Sequence, residues 1–151
     1  VQTPRGQVYD RDSYNAANTL LLGYRGDALT AAENTAGRVL ASTEPLLQFD
    51  SGKRDSSLAY VLPRGTGSPP TPKDAQLAVV SLPARDVAVY SVRGFGNDRG
   101  RTEEAIEGGL RDLRAAVESK GWTVTEEGGA FTLASYADGY ELWLSVAAGS
   151  E

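Results

Sequence analysis

The first half of the chain begins with apolar positions that recur at the spacing of an α-helix. Steps of three and four residues separate them, so they share one face of a helix. These positions are Tyr14, Ala17, Leu21 and Tyr24. The pattern predicts a helix that begins near Asp12 or Ser13, whose short polar side chains are both suited to cap it. Residues 1–11 are polar and contain a proline and a glycine, which predicts a tail or loop.

Alternating apolar residues predict two strands in the rest of the first half. The first strand covers residues 39–49 with an interruption near Pro45, and the second covers residues 57–62. Residues 26–37, which are rich in Ala, Thr and Asn, predict a weak additional turn of helix. Four prolines and two glycines within residues 63–72 exclude a regular element there and predict a surface connector.

The second half predicts strands over residues 76–82 and 87–92, followed by a strong helix. Thr102 is suited to cap this helix, and Gly121 is suited to end it. An apolar stripe at helical spacing gives the helix a face to bury. The stripe consists of Ile106, Leu110, Leu113 and Val117.

Three further strands are predicted after this helix. A short strand covers residues 122–125, and a tight hairpin joins residues 131–136 to residues 140–146. Trp122 and Trp143 fit alternating strand positions, so we expect both indole rings to lie in the core or to line a barrel.

Both halves therefore contain a helix followed by two strands. The simplest interpretation is a single domain of 151 residues in which a β-α-β-β unit occurs twice. A partial first repeat covers residues 1–62, a proline-rich connector covers residues 63–75, and the second repeat covers residues 76–146. The first repeat is expected to lack its leading strand, because residues 1–11 are too short and polar to form one.

The composition removes several kinds of chemistry from consideration. The chain has no His, Cys or Met, which excludes Ser-His-Asp catalysis, His or Cys metal sites and the usual axial ligands of haem iron. No other arrangement of residues predicts an enzyme. A net charge of −5 argues against nucleic acid or an anionic membrane as partner, and no apolar run is long enough to span a bilayer. Because the chain begins with Val1, we expect a processed or trimmed N-terminus.

Four stretches of the sequence, in this order, resemble the SOUL haem-binding family, and the plant and algal members in particular. They are residues 13–24 (SYNAANTLLLGY), 40–46 (LASTEPL), 60–63 with 69–72 (YVLP and PPTP) and 82–95 (LPARDVAVYSVRGF). The resemblance extends from about residue 13 to residue 146, and its last stretch is the most specific. Leu40 and Ser42 occupy the two methionine positions of the family's Met-x-Met-Thr motif.

The resemblance implies an α+β fold, a distorted antiparallel β-barrel made from two β-α-β-β repeats with two flanking helices. It implies non-covalent binding of haem or a free porphyrin in a hydrophobic groove beside a helix, which suits a carrier or buffer. The family does not require an axial His. Its plant members imply a chloroplast location, with the cytoplasm as the alternative.

Candidate ligand-binding residues lie on and after the first helix. Tyr14, Leu21 and Tyr24 would line a porphyrin face by stacking and apolar contact, and the alternative is that this stripe packs on the barrel. Arg25 and Arg38 would pair with the propionates, as arginine does with carboxylates, and the alternative is that both are solvated.

Other residues are weaker candidates for the same ligand. Arg111 and Arg114 lie one turn apart on the second helix, near acidic residues, so local ion pairs are expected instead. Tyr136 and Tyr140 flank the final hairpin, and tyrosinate can ligate ferric haem.

A second interpretation makes the protein an interaction module. The family's long final hairpin loop is here reduced to residues 137–139, and a missing leading strand would leave one sheet edge unpaired. An unpaired edge invites a partner strand. The chain would then be a degenerate SOUL-like structural or interaction subunit of a larger assembly, in a plastid if the plant resemblance extends to location.

Overall fold

A computed structural model describes residues 2–5, 11–52, 56–93, 102–126 and 128–149 of the chain. Within these ranges the chain forms two helices and seven strands. In chain order they are β1 (Gln2–Arg5), α1 (Arg11–Arg25), β2 (Leu46–Asp50), β3 (Ser56–Tyr60), β4 (Val87–Arg93), α2 (Glu103–Ser119), β5 (Trp122–Val124), β6 (Phe131–Tyr136) and β7 (Gly139–Ala148).

The strands form one antiparallel sheet in which the two halves have the same arrangement. In each half the first strand lies at the edge, the last strand lies beside it, and the strand before the last lies at the centre. The order is β1-β3-β2-β6-β7-β4, and β5 pairs with the far end of β7. Each edge strand precedes a helix in the chain and pairs with the last strand of its own half. The halves meet in the centre, where β2 pairs with β6 along all five of its residues, from Leu46 to Asp50.

Two expectations about the sheet are wrong. In the described part of the chain no pairing joins the edge strands β1 and β4, so the sheet is open where a closed barrel was expected. The first half also has a leading strand, because β1 pairs with β3 from Gln2 opposite Ala59 to Arg5 opposite Ser56. Backbone hydrogen bonds need no apolar side chains, and β3 offers a free edge, so a short polar segment can form a strand there.

The segment after α1 does not continue as a helix. Gly26 adopts a positive φ of 67°, and its N–H donates to the carbonyl of Leu22 at 2.9 Å, which ends the helix. The Asp27 carboxylate then accepts hydrogen bonds from the N–H groups of Leu29 and Thr30, both at 2.7 Å. This local turn competes with helix formation, so the expected additional turn over residues 26–37 is absent. Asp12 and Ser13 lie inside α1, which begins at Arg11, so neither is its cap.

The strand expected over residues 76–82 also does not form. Leu77 packs into the core, but Val79, Val80 and Leu82 are exposed. The long strand β7, which would be a partner in this half, already pairs with β4 on one side and with β6 and β5 on the other. Within the segment only Ala78 forms a bridge, and strand-forming residues without a continuous partner strand remain irregular.

The second helix matches its sequence pattern closely. The Thr102 hydroxyl accepts a hydrogen bond from the N–H of Ala105 at 3.1 Å, which confirms the predicted cap. Its four predicted stripe residues are all buried, and Ile106, Leu110 and Leu113 pack with β-strand leucines of the second half. Gly121 follows the end of the helix with a φ of 75°.

Both helices cover the same face of the sheet. Gln48 lies opposite Leu58 on one side and Leu133 on the other, and Leu133 lies opposite Leu142, so these four side chains share a face. Leu58 packs in the cluster beneath α1, and Leu142 packs in the cluster beneath α2.

The other face, which we call the open face, carries no helix among the described residues. Its buried centre is small and is flanked by half-buried aromatic side chains. The centre consists of Leu47, Ala59 and Ala134, and the flanking rings are Phe49, Tyr136 and Trp143. Trp143 therefore agrees with the expectation for a core-lining residue. Trp122 does not, because 41% of its surface is exposed on the short strand β5.

Candidate ligand site at the end of helix α1

The apolar stripe of α1 packs against the sheet along most of its length. Leu21 and Tyr24 are buried, with exposed fractions of 2% and 0%, and Ala17 lies beside them in the same cluster. Tyr14 is half-buried in the first turn, about 15 Å along the helix axis from Tyr24 at 1.5 Å per residue. The structure thus places Leu21 and Tyr24 in the interior, where they support the end of the helix from below.

The two candidate arginines lie near this end of the helix. Arg25 is half-buried, and its Nε is buried without any hydrogen-bond partner. Arg38 is exposed, and its Nη2 donates to the carbonyl of Thr66 at 2.8 Å. The positive charge of each guanidinium acts to lower the pKa of a tyrosine in the same cluster. Arg25 acts in this way on Tyr60, and Arg38 acts on Tyr24. The structure therefore brings Tyr24, Arg25 and Arg38 together.

The phenols of this cluster are held in their neutral form. Burial, and next the neighbouring Tyr60, raise the pKa of Tyr24 above its ordinary 10.0, while Arg38 acts in the opposite direction. Burial likewise raises the pKa of Tyr60. The Tyr24 hydroxyl donates to the carbonyl of Pro70 at 2.7 Å, and the Tyr60 hydroxyl donates to the carbonyl of Ala41. Neither phenol is set up to coordinate a metal as a phenolate.

A buried asparagine holds the cluster together. Asn34 is completely buried, and its Nδ2 donates to the carbonyls of Tyr24 and Arg38, both at 2.9 Å. Its Oδ1 accepts from the N–H of Arg38 at 3.1 Å. One side chain thus fixes the last turn of α1 against the segment that carries the second arginine. Sequence reasoning missed both Asn34 and Tyr60; only Tyr60 lies in one of the four family-like stretches.

The proline-rich connector covers the buried side of this cluster. It forms an isolated bridge between Pro72 and Asn34, and the N–H of Thr35 donates to the carbonyl of Thr71 at 2.8 Å. Leu77 anchors its far end in the core. The connector was expected to lie at the surface, and most of it does, but Pro70 is buried where it accepts the bond from Tyr24.

The weaker candidates lie elsewhere. Arg111 is an exposed neighbour of Asp112 at 4.0 Å, which agrees with a local ion pair. Tyr140 is buried in the cluster beneath α2. Burial, and next the Glu141 carboxylate, raise the pKa of Tyr136, and its hydroxyl lies 3.4 Å from Glu141 Oε2.

Exposed apolar side chains flank both arginines. Leu22 lies one turn before Arg25 on the exposed side of α1, and Val39 follows Arg38. About half of the surface of each of these two residues is exposed. The described residues contain no group of three or more acidic side chains placed to hold a metal ion. Within the same ranges, neither helix is long and apolar enough to cross a bilayer.

A family model described as SOUL heme-binding protein matches residues 1–146. The chain belongs to the SOUL family. The match covers nearly the whole sequence and includes β1, which the motif resemblance did not reach. The family is described as one of haem-binding proteins. No curated protein matches this chain.

The residues at the end of α1 meet two of the demands of a tetrapyrrole in a SOUL protein. A buried guanidinium nitrogen without a partner and a second guanidinium nearby suit the two propionates, and Leu22 and Val39 offer apolar surface. The third demand, an axial ligand, is not met by Tyr24 or Tyr60, whose hydroxyls already donate to carbonyl groups. The residues therefore fit the macrocycle and its carboxylates better than they fit its iron.

Proposed function

We propose that this SOUL protein binds haem or another tetrapyrrole non-covalently beside the C-terminal end of α1, as a carrier or buffer and without catalysis. Arg25 and Arg38 hold the propionates, and Leu22 and Val39 contact the macrocycle. Tyr14 stays a prediction from the sequence alone, because it lies in the first turn of the helix, about 15 Å along the axis from Tyr24. Any redox or light-absorbing chemistry belongs to the bound group, while the protein's residues only bind and orient it.

The buried Nε of Arg25 is the observation that supports this proposal. A guanidinium nitrogen that is removed from water without a hydrogen-bond partner costs free energy. A ligand carboxylate would supply that partner as a charge-assisted bond, which is stronger than a neutral one. Arg38 has five N–H donors and uses one of them on Thr66, so it can donate to the second carboxylate without releasing the connector.

Leu21 and Tyr24 have a supporting role in this proposal. Their side chains lie beneath the site, and the bond from Tyr24 to Pro70 closes the interior from below. A ligand that contacted them directly would have to displace the connector. The proposal therefore places the ligand on the outer side of the helix end.

A titration with hemin and with protoporphyrin IX tests the proposal. We expect a saturable Soret shift near one equivalent for each ligand. The Arg25→Gln variant is expected to weaken binding by about tenfold, because it loses one charge-assisted hydrogen bond. Arg111→Gln removes one positive charge from an exposed position on α2 and serves as the matched control.

The dimethyl ester of protoporphyrin IX separates the carboxylate contacts from the apolar contacts. This ester lacks both free carboxylates, so the wild-type protein and Arg25→Gln should bind it equally well. An unchanged affinity for the free acid in Arg25→Gln would contradict the assigned role. A folded wild-type protein that gives no Soret shift with hemin or protoporphyrin IX would contradict the function itself.

A second candidate function is that of an interaction subunit, and the free edge of β4 favours it. The two functions use different surfaces, so one protein can have both. The plastid location stays a prediction from the resemblance, and fractionation of the source cells would test it.

A further inference from the structure

Strand β4 presents an unpaired row of backbone groups at the edge of the sheet. The N–H of Val146 donates to the carbonyl of Asp86 at 3.0 Å, so Asp86 and every second residue after it point toward β7. The intervening residues therefore point their N–H and C=O groups outward. These residues are Val87, Val89, Ser91 and Arg93. Since β4 is an edge strand, their outward groups have no strand partner in the described part of the chain.

In the part of the chain that the structure describes, this edge lacks the features that usually prevent edge strands from pairing. Natural sheets protect their edges with proline, charged side chains, bulges or a covering element. The opposite edge strand, β1, contains Pro4, whereas β4 contains no proline, glycine or lysine. Its single charge is Arg93 at the last position, which is paired within the chain with Asp138 at 3.0 Å and Glu141 at 3.2 Å.

The helix on this half also leaves the edge uncovered. α2 packs against β4, β5 and β7, so it lies inward from the edge. Val89, in the middle of β4, has 45% of its surface exposed. The strand thus has seven residues, a free row of hydrogen-bonding groups and a β-branched side chain at its centre, which are the properties of a strand that accepts a partner.

We infer that a second copy of this chain pairs with β4, strand against strand in the antiparallel direction. A two-fold axis perpendicular to the sheet relates the two copies and passes beside Tyr90. The outward groups of Val89 then bond to those of Ser91 in the second copy, and the outward groups of Val87 bond to those of Arg93. Each of these four pairs exchanges two hydrogen bonds, and the two sheets become continuous.

The side chains of β4 are compatible with this self-pairing. On the helix face, Ala88 lies opposite Val92 of the second copy, and the two Tyr90 rings lie opposite each other. On the open face, Val89 lies opposite Ser91, and Arg93 lies opposite Val87, so no two like charges meet. A second copy is favoured over an unrelated peptide because this register pairs every outward backbone group of β4 and sets no like charges opposite each other.

Sedimentation velocity from micromolar to near-millimolar concentration tests the dimer. Moderate salt is used, because each chain carries a net charge of −5 and the resulting repulsion must be screened. We expect the wild-type sedimentation coefficient to rise from the monomer value to the dimer value across this range.

Two substitutions at Val89 should each raise the dissociation constant of the dimer by about tenfold or more. Val89→Pro removes an outward N–H and leaves the bonds to β7 intact. Val89→Lys places a charge at the edge. Val79→Lys makes the same change at an exposed valine outside the strands and is expected to leave the dimer unchanged. If circular dichroism shows that Val89→Pro is not folded, Val89→Lys decides the test.

Three results would overturn the inference. The first is a wild-type protein that remains a monomer at every concentration. The second is an equal effect of Val89→Lys and Val79→Lys. The third is a dimer that both folded Val89 variants retain at wild-type strength. None of these results depends on haem, so the dimer and the proposed ligand site are tested independently.

Discussion

A single methyl group added to α2 should have opposite effects at two neighbouring glycines. A Cβ at Gly109 would lie 2.9 Å from Leu142 Cδ1 and 3.1 Å from Tyr90 Cε1, which is too close for either contact. Leu142 is completely buried in the sheet beneath the helix, so it cannot move away freely. A Cβ at Gly108 would have no neighbour nearer than Arg111 Nη2 at 3.6 Å, and that atom ends a flexible side chain.

Both substitutions gain the same stabilisation of the helix, but only the one at Gly109 also introduces a steric clash. Replacing glycine by alanine inside a helix raises the free energy of unfolding by about 1 kcal/mol at either position. Overpacking at Gly109 costs about 1–3 kcal/mol, because α2 and the sheet must separate to admit the methyl group. We therefore expect Gly108→Ala to stabilise the protein and Gly109→Ala to be neutral or destabilising.

Urea unfolding followed by circular dichroism measures this difference. With a slope of about 2 kcal/mol/M, a gap of about 2 kcal/mol between the two variants separates their midpoints by about 1 M. Equal slopes are needed for the comparison, because a changed slope would indicate a different denatured or native state. If Gly109→Ala were stabilised as much as Gly108→Ala, the close packing of α2 on β4 and β7 would be refuted.

Three further predictions follow from contacts described above. Asn34→Asp should lower the free energy of unfolding by about 2–4 kcal/mol, because the carbonyls of Tyr24 and Arg38 lose their donor and face a buried carboxylate instead, whereas the same change at exposed Asn15 should have little effect in urea unfolding. Thr102→Ala should cost about 0.5–2 kcal/mol in the same assay through loss of the α2 cap, and an unchanged midpoint would contradict the cap. Burial raises the pKa of Tyr24 and Tyr60, so the unfolded chain loses these protons first, and the stability that these two groups contribute should be present below pH 10 and be lost above it. Phenolate absorbance should show a late-titrating class of tyrosines, and the absence of that class would contradict the burial of both rings.

The parts of the fold that could be predicted are those whose signals are local in the sequence. The stripe and the cap of α2 lie within 16 residues of each other, and helix geometry alone turns their spacing into a buried face. The β6–β7 hairpin is equally local, because a short turn brings its strands together. The α1 stripe was also recognised, and the structure shows that Leu21 and Tyr24 pack into the core.

Two of the failures concern partners that are distant in the sequence, and a third concerns a buried polar side chain that no sequence pattern marks. β1 could not be recognised in a short polar segment, because its partner β3 lies more than 50 residues away. Residues 76–82 have strand composition, but only Ala78 forms a bridge and no continuous strand results. Asn34 has no apolar pattern around it, and its role comes from carbonyls that the fold places within reach. Of the proposed site residues, the sequence predicted both arginines, but it could not show that Arg25 Nε is buried without a partner.

The central pairing of β2 with β6 has a consequence for engineering. The halves are joined there by hydrogen bonds between strands and are linked covalently only through the long segment between β3 and β4. If the chain is cut at the exposed turn near Gly65, Pro70 and Thr71 stay on the C-terminal fragment. They can still bond to Tyr24 and Thr35 on the N-terminal fragment. The two fragments should then reassemble through β2 and β6 when they are mixed, so the protein could serve as a split reporter.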